Sequence, residues 1–158
     1  MNLIRGVAIP ALVLALCWPL QADNSFFRVL AAKPNATLED TIKAVYMLST
    51  GESSVENKSF EQVCDIMRQK GVVVVKDPWS KTPDRMVNRG QISYMLCKAL
   101  GVRGGITMHL TGVSERYAFR ECVYLNLVPA GTQWDLVTGG ELVGILANAA
   151  EYQEKHRK

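Results

Sequence analysis

Three short segments of the sequence open helices in the same way, and they recur at a nearly constant spacing. Each has Thr or Asn at the N-cap position and an acid or an amide three residues later: Thr37 with Asp40, Asn88 with Gln91, and Thr138 with Glu141. In such a capping box the first side chain accepts a hydrogen bond from an early backbone N–H, and the later side chain reaches back. Asp40 lies 51 residues before Gln91, which lies 50 residues before Glu141. A fixed period of this size predicts a repeat architecture.

A second helix is predicted before each of these boxes. Apolar side chains recur at helical spacing over residues 60–67 and 117–125, and a shorter helix is expected over residues 26–32. Gly71 and Asn126 follow the two longer stretches. These two residue types best tolerate the left-handed conformation that ends many helices, so we expect the helices to stop there.

The sequence therefore predicts a mainly α fold of three helix-pair units in one domain, at about residues 24–50, 59–101 and 115–153. Each unit alone would expose an apolar face, so the units must pack on one another to be stable. Two segments depart from the helical pattern. Val72–Val75 is a β-branched run and residues 106–110 alternate in polarity, which predicts a short β ribbon.

Residues 1–22 have the pattern of a secretory signal peptide. Arg5 is the only charged residue in this segment, an apolar stretch follows it, and the small residue Ala22 precedes a plausible cleavage point. Residues 23–158 would then form the mature domain, exported to the periplasm or the cell envelope. An uncleaved anchor is the alternative, although the stretch is short for a membrane span of roughly 20 apolar residues. Lipidation of Cys17 is a second and weaker alternative, because Leu16 stands where a lipoprotein signal has a small residue.

Membrane contact is therefore expected only if the N-terminal segment is retained or lipidated. The formal net charge of +3 falls by one when Arg5 is removed, and the basic residues are scattered except at residues 155–158. Nucleic-acid-binding proteins usually carry a strong basic patch, so no nucleic-acid partner is expected.

Three cysteines remain in the mature chain, and the sequence offers no recognisable catalytic motif. Cys64, Cys97 and Cys122 each fall in an apolar helical pattern, which predicts small buried core residues. Export makes one disulfide feasible, and Cys64–Cys97 is the most plausible pair if their helices pack side by side. There is no Gly-rich phosphate loop, no His-x-x-x-His pair and no Gly-x-Ser-x-Gly elbow. We expect no enzymatic activity, no cofactor and no metal site.

The predicted repeat unit resembles that of the S-layer homology family. That unit consists of a helix, a turn to Gly-Val, an aromatic loop and a second helix that opens Val-Thr-Arg-Ala-Glu. The best match is Gly71-Val72 with residues 87–91, and the third unit reads Leu127-Val128 with residues 137–141. Three such units cover about Asn24 to Gln153. The resemblance implies a pseudo-threefold helical domain that attaches non-covalently to an acidic cell-wall polymer, in grooves between the units.

In that family the motif arginine helps to bind the acidic glycan. Only Arg89 carries over to this chain, because Leu38 and Gly139 stand at the matching positions of the other two units. Arg89, next to the N-cap Asn88, could clamp a carboxylate or phosphate together with backbone N–H groups of its helix. The alternative is a surface arginine that is solvated or pairs with an acid such as Asp84.

Two tryptophans are further candidates for ligand binding. Trp79 and Trp134 each follow a predicted helix end by eight residues, counted from Gly71 and Asn126. They could stack on sugar rings at a groove mouth, but their matched positions favour a packing role in which each plugs the end of a helix pair.

The sequence thus favours a non-catalytic binding or anchoring module of the cell envelope, which recognises an acidic cell-wall or surface polymer through Arg89, Asn88, Trp79 and Trp134. The alternative is a protein–protein interaction module of an exported envelope complex. A glycan ligand would depend on salt and on Arg89, whereas a protein partner would depend on an exposed apolar patch.

Overall fold

The structure, a computed structural model, describes residues 25–55, 57–73, 81–105, 108 and 112–156. Within these ranges the chain is mainly α-helical, as predicted. Six helices are described: α1 (Ser25–Ala31), α2 (Leu38–Thr50), α3 (Phe60–Gln69), α4 (Arg89–Leu100), α5 (Glu115–Tyr124) and α6 (Gly139–Lys155). None of them combines the length and the apolar character that a membrane span needs. The predicted signal peptide, Cys17 and Trp79 lie outside the described residues.

The helix starts follow the predicted caps. Thr37, Asn88 and Thr138 are the N-caps of α2, α4 and α6, and each side chain accepts a hydrogen bond from the backbone N–H three residues later. The boxes of α2 and α4 are complete. In α6 the expected return bond is replaced, because the Glu141 carboxylate instead accepts from the Arg89 side chain.

The helix ends also lie near the predicted stops. Gly71 follows α3 with φ +69°, and Asn126 follows α5 with φ +58°. Asn is one of the few residues other than Gly that adopt this left-handed conformation at small cost. These local signals correctly predicted where both helices end.

The three residues that precede the caps form a closed ring of backbone hydrogen bonds. The N–H of Ala36 donates to the Val137 carbonyl at 2.8 Å, that of Val137 to the Val87 carbonyl at 3.1 Å, and that of Val87 to the Ala36 carbonyl at 3.2 Å. All three side chains are fully buried. The ring, which we call the hub, brings the starts of α2, α4 and α6 together at one point.

From the hub the three longest helices run in mutual contact. α2, α4 and α6 touch one another, α3 packs on α2, α5 packs on α4, and α1 packs on α6. Ile42, Ile92 and Ile145 are among the side chains fully buried between them. Burying one such side chain stabilises the fold by about 1.5–3 kcal/mol.

The described residues contain no β ribbon. The β pairing in these residues consists of two isolated antiparallel bridges, Thr37 with Met86 and Asn88 with Leu136. Val72 and Val73 lie in a bend directly after α3, and their side chains are buried in the core. Burial in the core, and not strand pairing, therefore explains why two apolar β-branched residues stand here. Residues 74–75 and most of 106–110 lie outside the described ranges.

Candidate functional site

Arg89 lies in the first turn of α4 and reaches across to the next segment of the hub. Its Nη1 donates to the Ala130 carbonyl at 2.8 Å and to Asp135 Oδ2 at 2.9 Å, and its Nε donates to Glu141 Oε1 at 2.8 Å. Only 16% of the side chain is exposed. The arginine therefore joins α4 both to the loop at residues 130–135 and to the first turn of α6.

The loop is shaped to receive this guanidinium. A Cβ on Gly131 would overlap the Arg89 Nη1, so glycine leaves the space that the arginine occupies. The Thr132 backbone N–H and hydroxyl both donate to Asp135, at 2.9 and 2.5 Å. These two bonds, and then the charge of Arg89, hold the pKa of Asp135 below its ordinary value. Asp135 is therefore ionised at neutral pH.

The backbone groups that an anion would need are also bonded within the protein. The N–H of Arg89 donates to the Asp135 carbonyl at 2.9 Å, and the N–H of Gly90 donates to the Gln133 carbonyl at 2.8 Å. Asn88 Oδ1 accepts from the third N–H of the helix at 2.9 Å. One guanidinium thus faces two carboxylates at a helix start whose first N–H groups already have acceptors.

The partners of Arg89 differ from the Asp84 considered from the sequence. They are Asp135 and Glu141, because the loop at residues 130–135 crosses the start of α4. Glu141 carried a sequence signal as the expected capping-box acid, but Asp135 carried none. A contact over more than forty residues depends on how the segments pack, and local patterns do not report it.

The two positions that the sequence comparison matched to Arg89, at the starts of α2 and α6, are filled by the chain itself. Leu38 is fully buried, and its N–H donates to the Arg85 carbonyl at 2.8 Å. The N–H of Gly139 donates to the Lys33 carbonyl at 3.0 Å, and a Cβ on this glycine would overlap the Leu30 carbonyl oxygen. The end of α1 therefore rests directly on the start of α6.

Trp134 does not plug the end of a helix pair, and that prediction was wrong for this residue. It is 68% exposed and lies in the turn that crosses the start of α4. Met86 and Leu136 are also about half exposed, at 50% and 51%. We call these three residues the hub face.

The backbone explains why two hub-face residues point outward. Met86 and Leu136 immediately precede Val87 and Val137, whose side chains are buried in the core. Each also lies in an antiparallel bridge, with Thr37 or Asn88 opposite. Because successive side chains of extended chain point to opposite sides, burial of the two valines turns their neighbours to the surface.

The cysteines are buried, as predicted, but the expected pairing is wrong. Cys97 on α4 faces Cys122 on α5, with 3.6 Å between the sulfurs, because α5 packs on α4. Cys64 belongs to α3, which packs on α2. Burial raises the pKa of Cys64 to about 11, and the hydrogen bond with Cys122, together with burial, raises that of Cys97. Neither group is a thiolate nucleophile at neutral pH.

Comparison of the chain with protein-family models, with curated proteins and with solved structures finds no match. Among the residues that the structure describes, no three His, Cys, Asp or Glu side chains are grouped as metal ligands. The candidate surface is therefore interpreted from its own geometry.

Proposed function

We propose that this protein is a non-catalytic binding module of the cell envelope that engages an apolar segment of a protein partner through the hub face. The proposal includes export by the N-terminal signal and a domain of three helix-pair units around a pseudo-threefold hub. The observation that carries it is the exposure of three large apolar side chains, Met86, Trp134 and Leu136, in the segments that lead into the hub.

Three features support the three-unit arrangement. The N-caps recur at a spacing close to fifty residues, the residues before them close a ring of hydrogen bonds, and the helices that follow them contact one another. The junctions also correspond in detail. The N–H groups of Leu38 and Arg89 donate to the carbonyls of Arg85 and Asp135, which each stand two residues before a hub valine.

The hub face has the composition of a protein-binding surface. Large apolar side chains that are exposed together mark interaction sites, and Trp and Met are enriched in the centres of such interfaces. The bridges at Met86 and Leu136 hold the backbone of the face in place, so binding need not order a loop. An exposed tryptophan such as Trp134 suits the role of an interface hot spot.

The charge beside the hub face disfavours an acidic polymer as the main ligand. Arg89 is neutralised by Asp135 and Glu141, which leaves the group with a net charge of −1. A polyanion would have to displace a carboxylate from the guanidinium before binding to it. An apolar protein segment needs no such exchange, and we therefore place it first.

The test is site-specific photo-crosslinking in living cells. A photoreactive amino acid replaces Trp134 in one variant and Tyr124 in the control, since Tyr124 is 79% exposed on α5 and outside the hub face. We expect one identified envelope protein to be trapped at position 134 and not at 124. The same adduct should disappear when Leu136→Asp is added. Equal trapping at both positions, or none at 134, would contradict the proposal.

A second candidate function is stacking of Trp134 on a cell-wall sugar, which the exposure of this side chain next in sequence to Asp135 supports. Purified sacculi would be pelleted with the wild-type protein, Trp134→Ala and the control Tyr124→Ala. Loss of pelleting in Trp134→Ala alone would favour this candidate over a protein partner. Pelleting that is abolished by salt and by Arg89→Ala would restore the acidic polymer as ligand. No pelleting of any form removes both sugar hypotheses.

A further inference from the structure

We propose that Cys97 and Cys122 are a modification site: in an oxidising compartment they form an intramolecular disulfide that ties α4 to α5. The two sulfurs are 3.6 Å apart at the contact between these helices, and both side chains are buried. The inference rests on the export that is part of the proposed function, but it does not depend on which partner the domain binds.

The contact is reciprocal, which places the two cysteines at the point where the helices meet. The Cys97 thiol faces the Ala118 carbonyl at 3.9 Å, and the Cys122 thiol faces the Ser93 carbonyl at 3.7 Å. Ala118 and Ser93 each stand one helical turn before a cysteine and are fully buried. These small residues let the two backbones approach closely, as a disulfide requires.

The oxidant is a second disulfide, either of a small molecule such as glutathione or of an oxidoreductase. The Cys97 thiol loses its proton, attacks one sulfur of the oxidant and releases a thiolate, which takes up the proton. The Cys122 thiol then loses its proton, its sulfur attacks the Cys97 sulfur, and the second thiolate leaves and takes up that proton. One disulfide is reduced to two thiols while the two cysteines are oxidised to one disulfide.

In the folded protein an oxidant can approach Cys97 from the surface. This residue lines a surface crevice of 460 Å³, whose walls also include Lys98 and Arg103. These cations suit the carboxylates of glutathione. The raised pKa of Cys97 slows attack in the folded state, so oxidation is expected to be fastest while the chain folds and its thiols are still accessible.

Peptide mapping tests the proposal on the purified protein, refolded in a glutathione redox buffer and then alkylated. Trypsin would place Cys97 in the peptide 90–98, Cys122 in the peptide 121–155 and Cys64 in the peptide 59–68. We expect the first two peptides to be joined, with both losing the link on reduction. Free alkylated Cys97 and Cys122, or a link to the peptide 59–68, would overturn the proposal.

Matched variants give a second measurement. The disulfide would close a loop between residues that are 25 positions apart, which lowers the entropy of the unfolded chain. Reduction should therefore lower the Tm of the wild-type protein by about 10 °C. The same drop is expected in Cys64→Ala, which keeps the pair, and it should be missing from Cys122→Ala. Comparing oxidised and reduced samples of one variant removes any effect of the substitution itself. A Tm that is independent of redox state in the wild-type protein would count against the link.

Discussion

The starts of α4 and α6 stand at corresponding points beside the hub, but they are joined to their neighbours in different ways. At α4 the Arg89 side chain spans the junction and meets two carboxylates. At α6 there is no side chain at the matching position, and the backbone of α1 lies directly on Gly139. The residue at one position thus decides whether a junction is a polar clamp or a close backbone contact.

This difference shows why an arginine fits at position 89 and would not fit at position 139. An arginine at position 139 would have to displace the end of α1, whereas at position 89 the loop with Gly131 leaves space for the guanidinium. The start of α6 is therefore covered by α1, whose backbone packs directly on Gly139. The same reasoning applies to Leu38, which fills its junction with a buried side chain.

The largest effect should come from adding a single methyl group at the α6 junction. Gly139→Ala places a Cβ against the Leu30 carbonyl, and we expect a loss of about 3 kcal/mol in the free energy of unfolding, because backbone must move. The control is Gly140→Ala, whose Cβ would lie 3.6 Å from the Ala31 carbonyl oxygen in ordinary contact. It should be neutral or stabilise by up to about 0.5 kcal/mol. Urea denaturation measures both, and equal effects would break the comparison.

The α4 junction should respond less strongly, because it is partly exposed. Arg89→Ala removes the bonds to Ala130, Asp135 and Glu141, and we expect a loss of about 1–2 kcal/mol in urea denaturation. Arg89→Lys should recover only part of it, since an ammonium cannot reproduce the planar fork of the guanidinium.

The control for this prediction is Arg68→Ala, which removes an ion pair with Asp65 within α3. Such a surface pair contributes little, so its loss should change the free energy of unfolding by less than about 0.5 kcal/mol. If Arg89→Ala were as mild as this control, the view of Arg89 as a clamp between helices would be wrong.

The smallest effect should appear in the pH dependence of the same junction. The pKa of Asp135 is lowered in the folded state, so the stability that its ionised form supplies is complete above the unfolded pKa. It is lost as pH falls through the lowered value. We therefore expect the Tm of Asp135→Asn to lie about 2 °C or less below that of the wild-type protein at neutral pH, with the gap closing below about pH 4.

The carboxylate of Glu151 provides a matched control for the interaction between Asp135 and Arg89. Its pKa is also lowered, by Lys155 on the same helix and away from the hub. In an Arg89→Ala background the effect of Asp135→Asn should shrink, while that of Glu151→Gln should stay the same. If the effect of Asp135→Asn were the same with and without Arg89, Thr132 alone would account for the stabilisation of the ionised Asp135 carboxylate.

The parts of the fold that could be predicted are those that depend on neighbours in sequence. Thr37, Asn88 and Thr138 cap helices because each side chain bonds to a backbone N–H three residues away. Gly71 and Asn126 end helices because their own backbone adopts the left-handed conformation. These are contacts within one turn, and the residue types that make them are few.

The candidate site could be predicted only in part, because its geometry is set over long separations. Arg89 was singled out, but its carboxylate partners come from a loop and a helix that follow it by more than forty residues. Trp134 was expected to be packed and is exposed, since the turn that carries it crosses α4. No local pattern distinguishes a tryptophan that covers a helix end from one that faces solvent.

By itself the sequence determined the helices, the starts of α2, α4 and α6, the ends of α3 and α5, and the spacing that places Ala36, Val87 and Val137 immediately before their caps. Only the tertiary structure decided which of several available partners each side chain meets. Glu141 bonds to Arg89 and not to its own cap, and Cys97 faces Cys122 and not Cys64. The physical reason is that capping energies are local, whereas the choice among partners depends on which helices pack together to bury the core.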